Sequence, residues 1–224
     1  MTGNTSGVIA RRAVLFDLDG TFADTAPDLA AAVNRLRAEQ GLEPISVERL
    51  RPFASAGARG MIAASFGLKP GHAEYEALRN TFLEFYEERT CVETKLFPGM
   101  ADLLDELEGR RIAWGIVTNK ALRFTERILF ALGVKPACVV GGDSTPYLKP
   151  NPASLLLAAE RLKLRSQECL YAGDDLRDMQ AARAAGMRAI AVSWGYHHPD
   201  SGHPGTWQAD ATIASPLDLL THLN

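Results

Sequence analysis

The feature that most constrains the fold of this chain is an alternation of short, continuous apolar runs with stretches of helical periodicity. The apolar runs occupy residues 13–16, 112–117, 137–140, 169–172 and 189–192. The helical patterns between them occupy residues 99–108, 122–132, 152–162 and 176–185. Buried strands that alternate with helices are typical of a parallel sheet with helices on both faces. The sequence therefore predicts an α/β fold with a Rossmann-like parallel sheet.

Residues 25–97 interrupt this alternation. They contain three helical patterns and no convincing strand, and the patterns lie at residues 29–39, 58–66 and 73–89. We interpret this segment as an all-helical cap domain that is inserted after the first strand. The remaining residues, 1–24 and 98–224, then form a single core domain.

Composition and charge restrict the classes of partner. The 224 residues carry a formal net charge of -3, without the basic stripe that nucleic-acid binding requires. No stretch approaches the roughly 18 uncharged apolar residues of a membrane span. Cys138 and Cys169 lie in or beside apolar runs, and with Cys91 they make an odd set that favours thiols in a reducing compartment. We expect a cytoplasmic protein, as a monomer or a homodimer, that binds neither nucleic acid nor a membrane.

The strongest motif directly follows the first predicted strand. It reads Asp17-Leu18-Asp19-Gly20-Thr21, at the carboxyl end of the strand, where ligands of parallel sheets bind. Gly20 lets the chain turn, so both carboxylates can face one pocket. Asp17 can act as a nucleophile toward phosphorus, and Asp19 can exchange protons with the leaving alcohol and with water. The alternative is an ordinary solvated Asp-Gly turn.

Two further polar segments also follow predicted strands. Thr118 and Asn119 can hold phosphate oxygens at a strand-to-helix turn, although a Thr-Asn pair is also a common helix N-cap. Lys149, before two prolines, can supply a fixed cation for a phosphate oxygen and for the nucleophile. Each signal is weak alone and gains weight from the others.

Acidic residues follow the predicted strand at residues 169–172. Asp174 and Asp178 would repel each other without a cation, and oxygen ligands beside a phosphate favour Mg²⁺. Asp174 is the expected direct ligand, whereas Asp178 can orient a metal-bound water or Lys149. Asp175 is either a helix N-cap or a further member of the metal site, and the sequence leaves this open.

The order and spacing of these four segments resemble the haloacid dehalogenase superfamily of phosphatases over nearly the whole chain. The resemblance implies an aspartyl-phosphate mechanism with four catalytic residues: Asp17, Asp19, Thr118 and Lys149. It also implies a magnesium site, with four contributing residues: Asp17, Asp19 through its backbone carbonyl, Asp174 and Asp178. Phe22 departs from the leucine that the family commonly has, which we interpret as a packing change.

The helical insertion resembles the cap of the phosphoglycolate phosphatase branch, and the chain also resembles phosphatases of cell-wall sugar recycling. The small residues at 55–57 predict a flexible loop before a helix that starts near Ala58, and in that branch this cap loop faces the catalytic pocket. Gly57 and Arg59 are candidate substrate-binding residues there, and Arg59 could pair with a carboxylate. Two acidic small-molecule esters suit such an arginine, 2-phosphoglycolate and N-acetylmuramic acid 6-phosphate, and the volume of the pocket decides between them.

Other functions share parts of this pattern. A phosphosugar mutase would need groups that hold a bisphosphate, for which only Arg59 and Lys69 are candidates. A halide-releasing dehalogenase would not need Asp19 or the acidic metal site, and a non-catalytic relative should have lost them. The clustered His197, His198 and His203 suggest an exposed loop more than a zinc site.

Overall fold

The computed structural model describes residues 12–223 and contains a six-stranded parallel sheet. The strands, in chain order, are β1 (Ala13–Phe16), β2 (Ala23–Asp24), β3 (Lys95–Leu96), β4 (Ala113–Val117), β5 (Cys138–Val140), β6 (Cys169–Gly173), β7 (Arg188–Val192) and β8 (Ala211–Ile213). The order across the large sheet is β5-β4-β1-β6-β7-β8, and every neighbouring pair is parallel. This confirms the predicted α/β fold and its five strands, to which the structure adds β8.

The helices cover both faces of this sheet and fill the region between β2 and β3. They are α1 (Ala26–Glu39), α2 (Val47–Leu50), α3 (Gly57–Phe66), α4 (Tyr75–Glu88), α5 (Met100–Gly109), α6 (Leu122–Ala131), α7 (Ala153–Leu162) and α8 (Leu176–Ala184). Short 3-10 helices lie at residues 51–56, 166–168, 199–201, 204–206 and 216–222. None of the described helices is both long and apolar enough to cross a membrane.

The sheet separates two apolar layers because side chains alternate along each strand. In β1, Val14 and Phe16 face one layer, while Ala13 and Leu15 face the other, and all four are buried. Phe22 is fully buried and stacks on Trp114 with ring centroids 5.6 Å apart, in agreement with its interpretation as a packing residue. Cys138 and Cys169 are also buried, as predicted.

The helical segment, which we define as residues 25–97, has an apolar cluster of its own. Residues of α1, α3 and α4 form most of it, together with Leu50 and Ala54, and Phe124 and Tyr196 join it from outside the segment. The segment is not free of strands, because Lys95 and Leu96 pair antiparallel with Ala23 and Asp24 where the chain leaves and re-enters the large sheet. A pair of two-residue strands is too short to show a periodicity in the sequence.

A second difference concerns the flexible loop expected at residues 55–57. A 3-10 helix at residues 51–56 leads directly into α3, so no loop separates them. Pro52 lies in the first turn of the 3-10 helix, where its missing N–H costs no hydrogen bond. Gly57 has φ +57°, and this left-handed conformation allows one helix to change direction into the next.

Asp28 of α1 fastens the returning chain to the helical segment. Its buried carboxylate accepts hydrogen bonds from the backbone N–H groups of Val92, Glu93 and Thr94, at 2.9–3.1 Å. The hydroxyl of Thr94 donates a further bond at 2.6 Å. One carboxylate therefore satisfies the turn that precedes β3.

We expect Asp28→Ala to lower the free energy of unfolding by about 2–4 kcal/mol, because several buried donors lose a charged acceptor. Urea unfolding measures the change. Asp105→Ala removes an exposed carboxylate of α5 and should stay within about 0.5 kcal/mol of wild type. Equal stability of the two variants would contradict the role of Asp28.

Candidate active site

The predicted chemical residues converge at the carboxyl edge of the sheet. Strands β4, β1 and β6 are adjacent, and their ends carry Thr118, Asp17 and Asp174 respectively. Lys149, from the loop before α7, and Asp178, from the first turn of α8, reach the same point. The topology thus joins segments that lie far apart in the chain.

Lys149 is at the centre of the site. Its ammonium nitrogen lies 2.9 Å from Asp17 Oδ1 and 2.7 Å from Asp178 Oδ1, and it donates a 2.7 Å hydrogen bond to the hydroxyl of Tyr171. Burial alone would lower the pKa of this lysine, but the charges of Asp17 and Asp178 raise it above its ordinary value. Lys149 therefore remains a cation between two carboxylates.

Asn119 fixes the backbone of Lys149. Its amide nitrogen donates to the carbonyl of Lys149 at 3.1 Å, and its amide oxygen accepts from the N–H of Lys149 at 2.8 Å. Both polar groups of Asn119 are used in this way. Thr118 and Asn119 both line the cavity, and the Thr118 hydroxyl accepts a 3.2 Å bond from the N–H of Lys120.

Three buried carboxylates form a candidate metal centre. One oxygen from each of Asp17, Asp174 and Asp178 lies within 4.8 Å of the others, and within residues 12–223 no other such group of acidic, His or Cys side chains occurs. Burial, followed by the charges of Asp17 and Asp178, raises the pKa of Asp174 well above its ordinary value. Burial also raises the pKa of Asp178, to about 6. Oxygen donors with this degree of mutual repulsion suit a hard divalent cation.

Asp174 is held in a tight cradle. The hydroxyl of Thr21 donates to Oδ1 at 3.0 Å, while the N–H of Tyr196 and the hydroxyl of Ser55 approach Oδ2 at 2.9 and 3.1 Å. A Cβ atom on Gly20 would lie 2.3 Å from Asp174 Oδ2, and one on Gly195 would lie 2.1 Å from Asp174 Cβ. Only glycine fits at either position.

The carboxylate of Asp19 faces a different direction from the other three. It forms an ion pair with Lys120, at 2.9 and 3.2 Å, and accepts a hydrogen bond from the hydroxyl of Thr25. Its backbone carbonyl lies 3.4 Å from Ser55 Oγ, the same atom that contacts Asp174. The carbonyl of Asp19 is thus directed toward the acidic cluster, whereas its side chain is held by Lys120 and Thr25 at another part of the cavity wall.

Asp175 belongs to the scaffold of α8. Its side chain accepts from the backbone N–H of Arg177 and forms two contacts with the Arg177 guanidinium, at 2.8 and 2.9 Å. Burial alone would raise the pKa of Asp175, but Arg177 lowers it below its ordinary value. Arg177 also donates to the carbonyl of Ser55 at 3.2 Å, so it links the sheet edge to the helical segment.

A cavity of about 680 Å³ lies between the sheet edge and the helical segment. Asp17, Asp19 and Lys149 line its floor, and Gly57 and Arg59 line the opposite side. The remaining wall includes two arginines and four aromatic side chains: Arg79, Arg123, Tyr75, Phe82, Tyr86 and Phe124. Both predicted substrate-binding residues of the helical segment therefore face the cavity that contains the acidic cluster.

The histidines lie outside this centre. His197 bonds to the carbonyl of Val192 at 2.9 Å, and His203 accepts from the N–H of Gly205 at 3.1 Å. Sequence reasoning did not identify Lys120, Arg177 or Tyr171 as parts of the site. Lys120 and Arg177 stood next to recognised positions, but nothing in the sequence indicates which distant groups they contact.

Comparison with known proteins gives the family. The sequence profile described as Haloacid dehalogenase-like hydrolase matches residues 14–192, which is most of the chain. The chain belongs to this family. It is 44% identical to the N-acetylmuramic acid 6-phosphate phosphatase of Pseudomonas putida, over 93% of this chain and 94% of that protein. It is also 45% identical to the phosphoglycolate phosphatase of Xanthomonas campestris, with the same coverage.

The fold of this family member is also found in solved structures. The crystal structure of a predicted phosphoglycolate phosphatase from Haemophilus somnus superimposes with a TM-score of 0.85. The alignment covers 97% of this chain and 100% of that one, at 24% sequence identity. The similarity at this level supports the architecture alone.

We expect Asp174→Asn to raise the melting temperature in the presence of a chelator, by about 4 °C near pH 8. The folded state raises the pKa of Asp174, so the unfolded chain loses this proton first and ionisation opposes folding. The wild-type protein therefore has its full stability below the pKa that Asp174 has in the unfolded chain. It loses stability as the pH rises through the pKa of Asp174 in the folded protein.

Thermal unfolding between pH 4 and 8 measures this difference between variant and wild type, which should grow with pH. Asp105→Asn, at an exposed position, is the matched control. A variant that melts below wild type throughout this range would show that the hydrogen bonds of Asp174 outweigh the charge repulsion.

Proposed function

We propose that this hydrolase is a magnesium-dependent phosphatase that cleaves a small acidic phosphate monoester through an aspartyl phosphate on Asp17. The main support is the environment of Asp17. Its Oδ1 atom is buried, lies beside the Lys149 ammonium, and accepts no well-aligned hydrogen bond from the described residues. A carboxylate oxygen that is held in place yet not bonded along its lone pairs is suited to attack phosphorus.

The acidic cluster fits a magnesium ion. Asp17, Asp174 and Asp178 would hold it with their carboxylates, and Asp19 would add its backbone carbonyl, in accord with the preference of Mg²⁺ for oxygen ligands. When bound, the ion would offset the repulsion between the anionic nucleophile and the phosphate oxygens. The raised pKa of Asp174 supports this assignment, because it shows a carboxylate that is short of positive charge.

The protein residues divide the reaction into two steps. In the first, an oxygen of Asp17 bonds to phosphorus as the ester P–O bond breaks, and protonated Asp19 gives its proton to the leaving alcohol. In the second, the Asp19 carboxylate takes a proton from a water molecule. The oxygen of this water attacks phosphorus as the P–O bond to Asp17 breaks. Phosphate leaves and Asp17 is regenerated. Lys149 and Thr118 hold phosphate oxygens in both steps.

We propose N-acetylmuramic acid 6-phosphate as the first substrate candidate, and 2-phosphoglycolate as the second. The cavity volume of about 680 Å³ is in the range of drug-sized ligands, well above what a two-carbon ester fills. Its aromatic wall offers an apolar surface to a sugar ring. Arg59 is exposed to this cavity, where it can pair with the carboxylate that both esters carry. The second candidate has support from the relative in Xanthomonas campestris.

A phosphosugar mutase is the main alternative within this fold. Lys69, one of the two cationic candidates for a second phosphate, is exposed and does not line the cavity. A screen for phosphate release with Mg²⁺, repeated with EDTA, tests the proposal on both candidate esters and on hexose phosphates. Sugar-phosphate interconversion without free phosphate, or halide release in EDTA, would replace it.

We expect Asp17→Asn to lower turnover at least about 10⁴-fold without unfolding the protein, because a carboxamide cannot form the acyl phosphate. Asp19→Asn should slow both steps by about 10²–10⁴-fold. Acid quenching with ³²P-labelled p-nitrophenyl phosphate should trap hydroxylamine-sensitive label on Asp19→Asn, and none on Asp17→Asn. Equal labelling of the two variants, or near-normal rates in Asp19→Asn, would contradict these roles.

We expect Arg59→Ala to reduce kcat/KM for the two acidic esters by about 10-fold or more, and for p-nitrophenyl phosphate only slightly. The reason is that only the acidic esters lose a charge-assisted pair. Steady-state kinetics on all three esters gives the comparison. Arg49→Ala, at an exposed position of α2, is the control. Equal losses of kcat/KM on the two carboxylate-bearing esters and on p-nitrophenyl phosphate would show that Arg59 does not select the substrate.

A further inference from the structure

Each carboxylate of the Asp17–Asp19 pair has its own lysine. Lys149 contacts Asp17, while the ammonium of Lys120 contacts both oxygens of Asp19, at 2.9 and 3.2 Å. Only 7% of the Lys120 side chain is exposed. Burial alone would lower the pKa of Lys120, yet the charge of Asp19 raises it above its ordinary value. A buried ammonium ion with two contacts to one carboxylate restricts where that carboxylate can lie.

The other side of Lys120 faces the helical segment. Its ammonium lies 4.8 Å from the centroid of the Tyr86 ring, a cation–π distance. Tyr86 belongs to α4 and is 1% exposed. It stacks with Phe82 at 6.2 Å between centroids and packs edge-on against Phe124 at 5.2 Å. The Tyr86 ring is therefore fixed by its neighbours, and it contacts the Lys120 ammonium on the side that faces the helical segment.

We propose that Lys120 is a positioning residue for the proton-transfer group Asp19, held in place by the ring of Tyr86. The inference rests on the proposed function, in which Asp19 serves the leaving alcohol. Thr25 bonds to the same carboxylate, so Asp19 is fixed between one group from the sheet edge and one from the start of the helical segment. Proton transfer needs this precision, because a displacement of about 1 Å removes much of its benefit.

The test compares two esters that differ in their need for a proton donor. N-acetylmuramic acid 6-phosphate releases an alkoxide that must be protonated, whereas p-nitrophenyl phosphate releases a stable phenolate. Lys120→Met should lower kcat/KM at least about 100-fold for the first ester and less than about 10-fold for the second. Lys120→Arg keeps the charge and should recover most of the loss. Lys135→Met makes the same exchange at an exposed site and should match wild type.

The alternatives give different patterns. If Lys120 instead binds the phosphate group, Lys120→Met loses equally on both esters. If it only stabilises the fold, thermal unfolding changes while the ratio of the two kcat/KM values does not. Either pattern, or unchanged kinetics on both esters, overturns the inference.

The contribution of Tyr86 is measured separately. Tyr86→Leu removes the ring and should reproduce part of the selective loss, and Tyr86→Phe keeps the ring and should lose less. A larger selective loss in Tyr86→Phe than in Tyr86→Leu would show that the ring does not support Lys120.

A crystal structure of Lys120→Met distinguishes this inference from the proposed function. We expect the Asp19 carboxylate to move by about 1 Å or more, or to become disordered, while Asp17 and Lys149 remain in place. An unmoved Asp19 would overturn the positioning role even if the enzyme proved inactive toward every ester. Wild-type inactivity toward N-acetylmuramic acid 6-phosphate, 2-phosphoglycolate and p-nitrophenyl phosphate would reject the proposed function. The position of Asp19 in the variant structure would then decide the role of Lys120.

Discussion

The mutual repulsion of three buried carboxylates, Asp17, Asp174 and Asp178, is the constraint on which the rest of this structure depends. Water does not screen these charges, so the protein must supply the compensation itself. Lys149 provides one positive charge, between Asp17 and Asp178. Among residues 12–223, Asp174 contacts only neutral hydrogen-bond donors and no positive charge, which leaves the cluster short of positive charge. This imbalance costs stability, and it suits the cluster to the divalent cation that we propose it binds.

The helical segment contributes to the chemical centre as well as covering it. Ser55 reaches Asp174, Thr25 reaches Asp19, and Tyr86 lies over Lys120. Each of these contacts joins a residue of the helical segment to one at the sheet edge. The geometry at the strand ends is consequently sensitive to how the helices sit, and the two parts of the molecule can be expected to respond together when a ligand fills the cavity between them.

The sequence was informative where local pattern determines structure. Buried strands appear as apolar runs, and the carboxyl ends of adjacent parallel strands must meet, so the amino-acid pattern alone places Asp17, Thr118 and Asp174 together. Strand β8 was missed because its first two residues are not buried and it is only three residues long. The partners of Lys120 and Arg177 were missed for another reason. A charged side chain after a strand has the same appearance in sequence whether it meets solvent, substrate or a carboxylate a hundred residues away.

The cradle around Asp174 limits how this half of the cavity can vary. Gly20 and Gly195 leave no space for even a methyl group beside Asp174. Larger residues at these two positions would displace the Asp174 carboxylate. On the opposite wall, the Arg59 side chain is exposed, so a change of size is accommodated there more readily. If proteins that evolve from this chain change their substrate, we therefore expect the substitutions in the helical segment, while the residues at the strand ends stay the same.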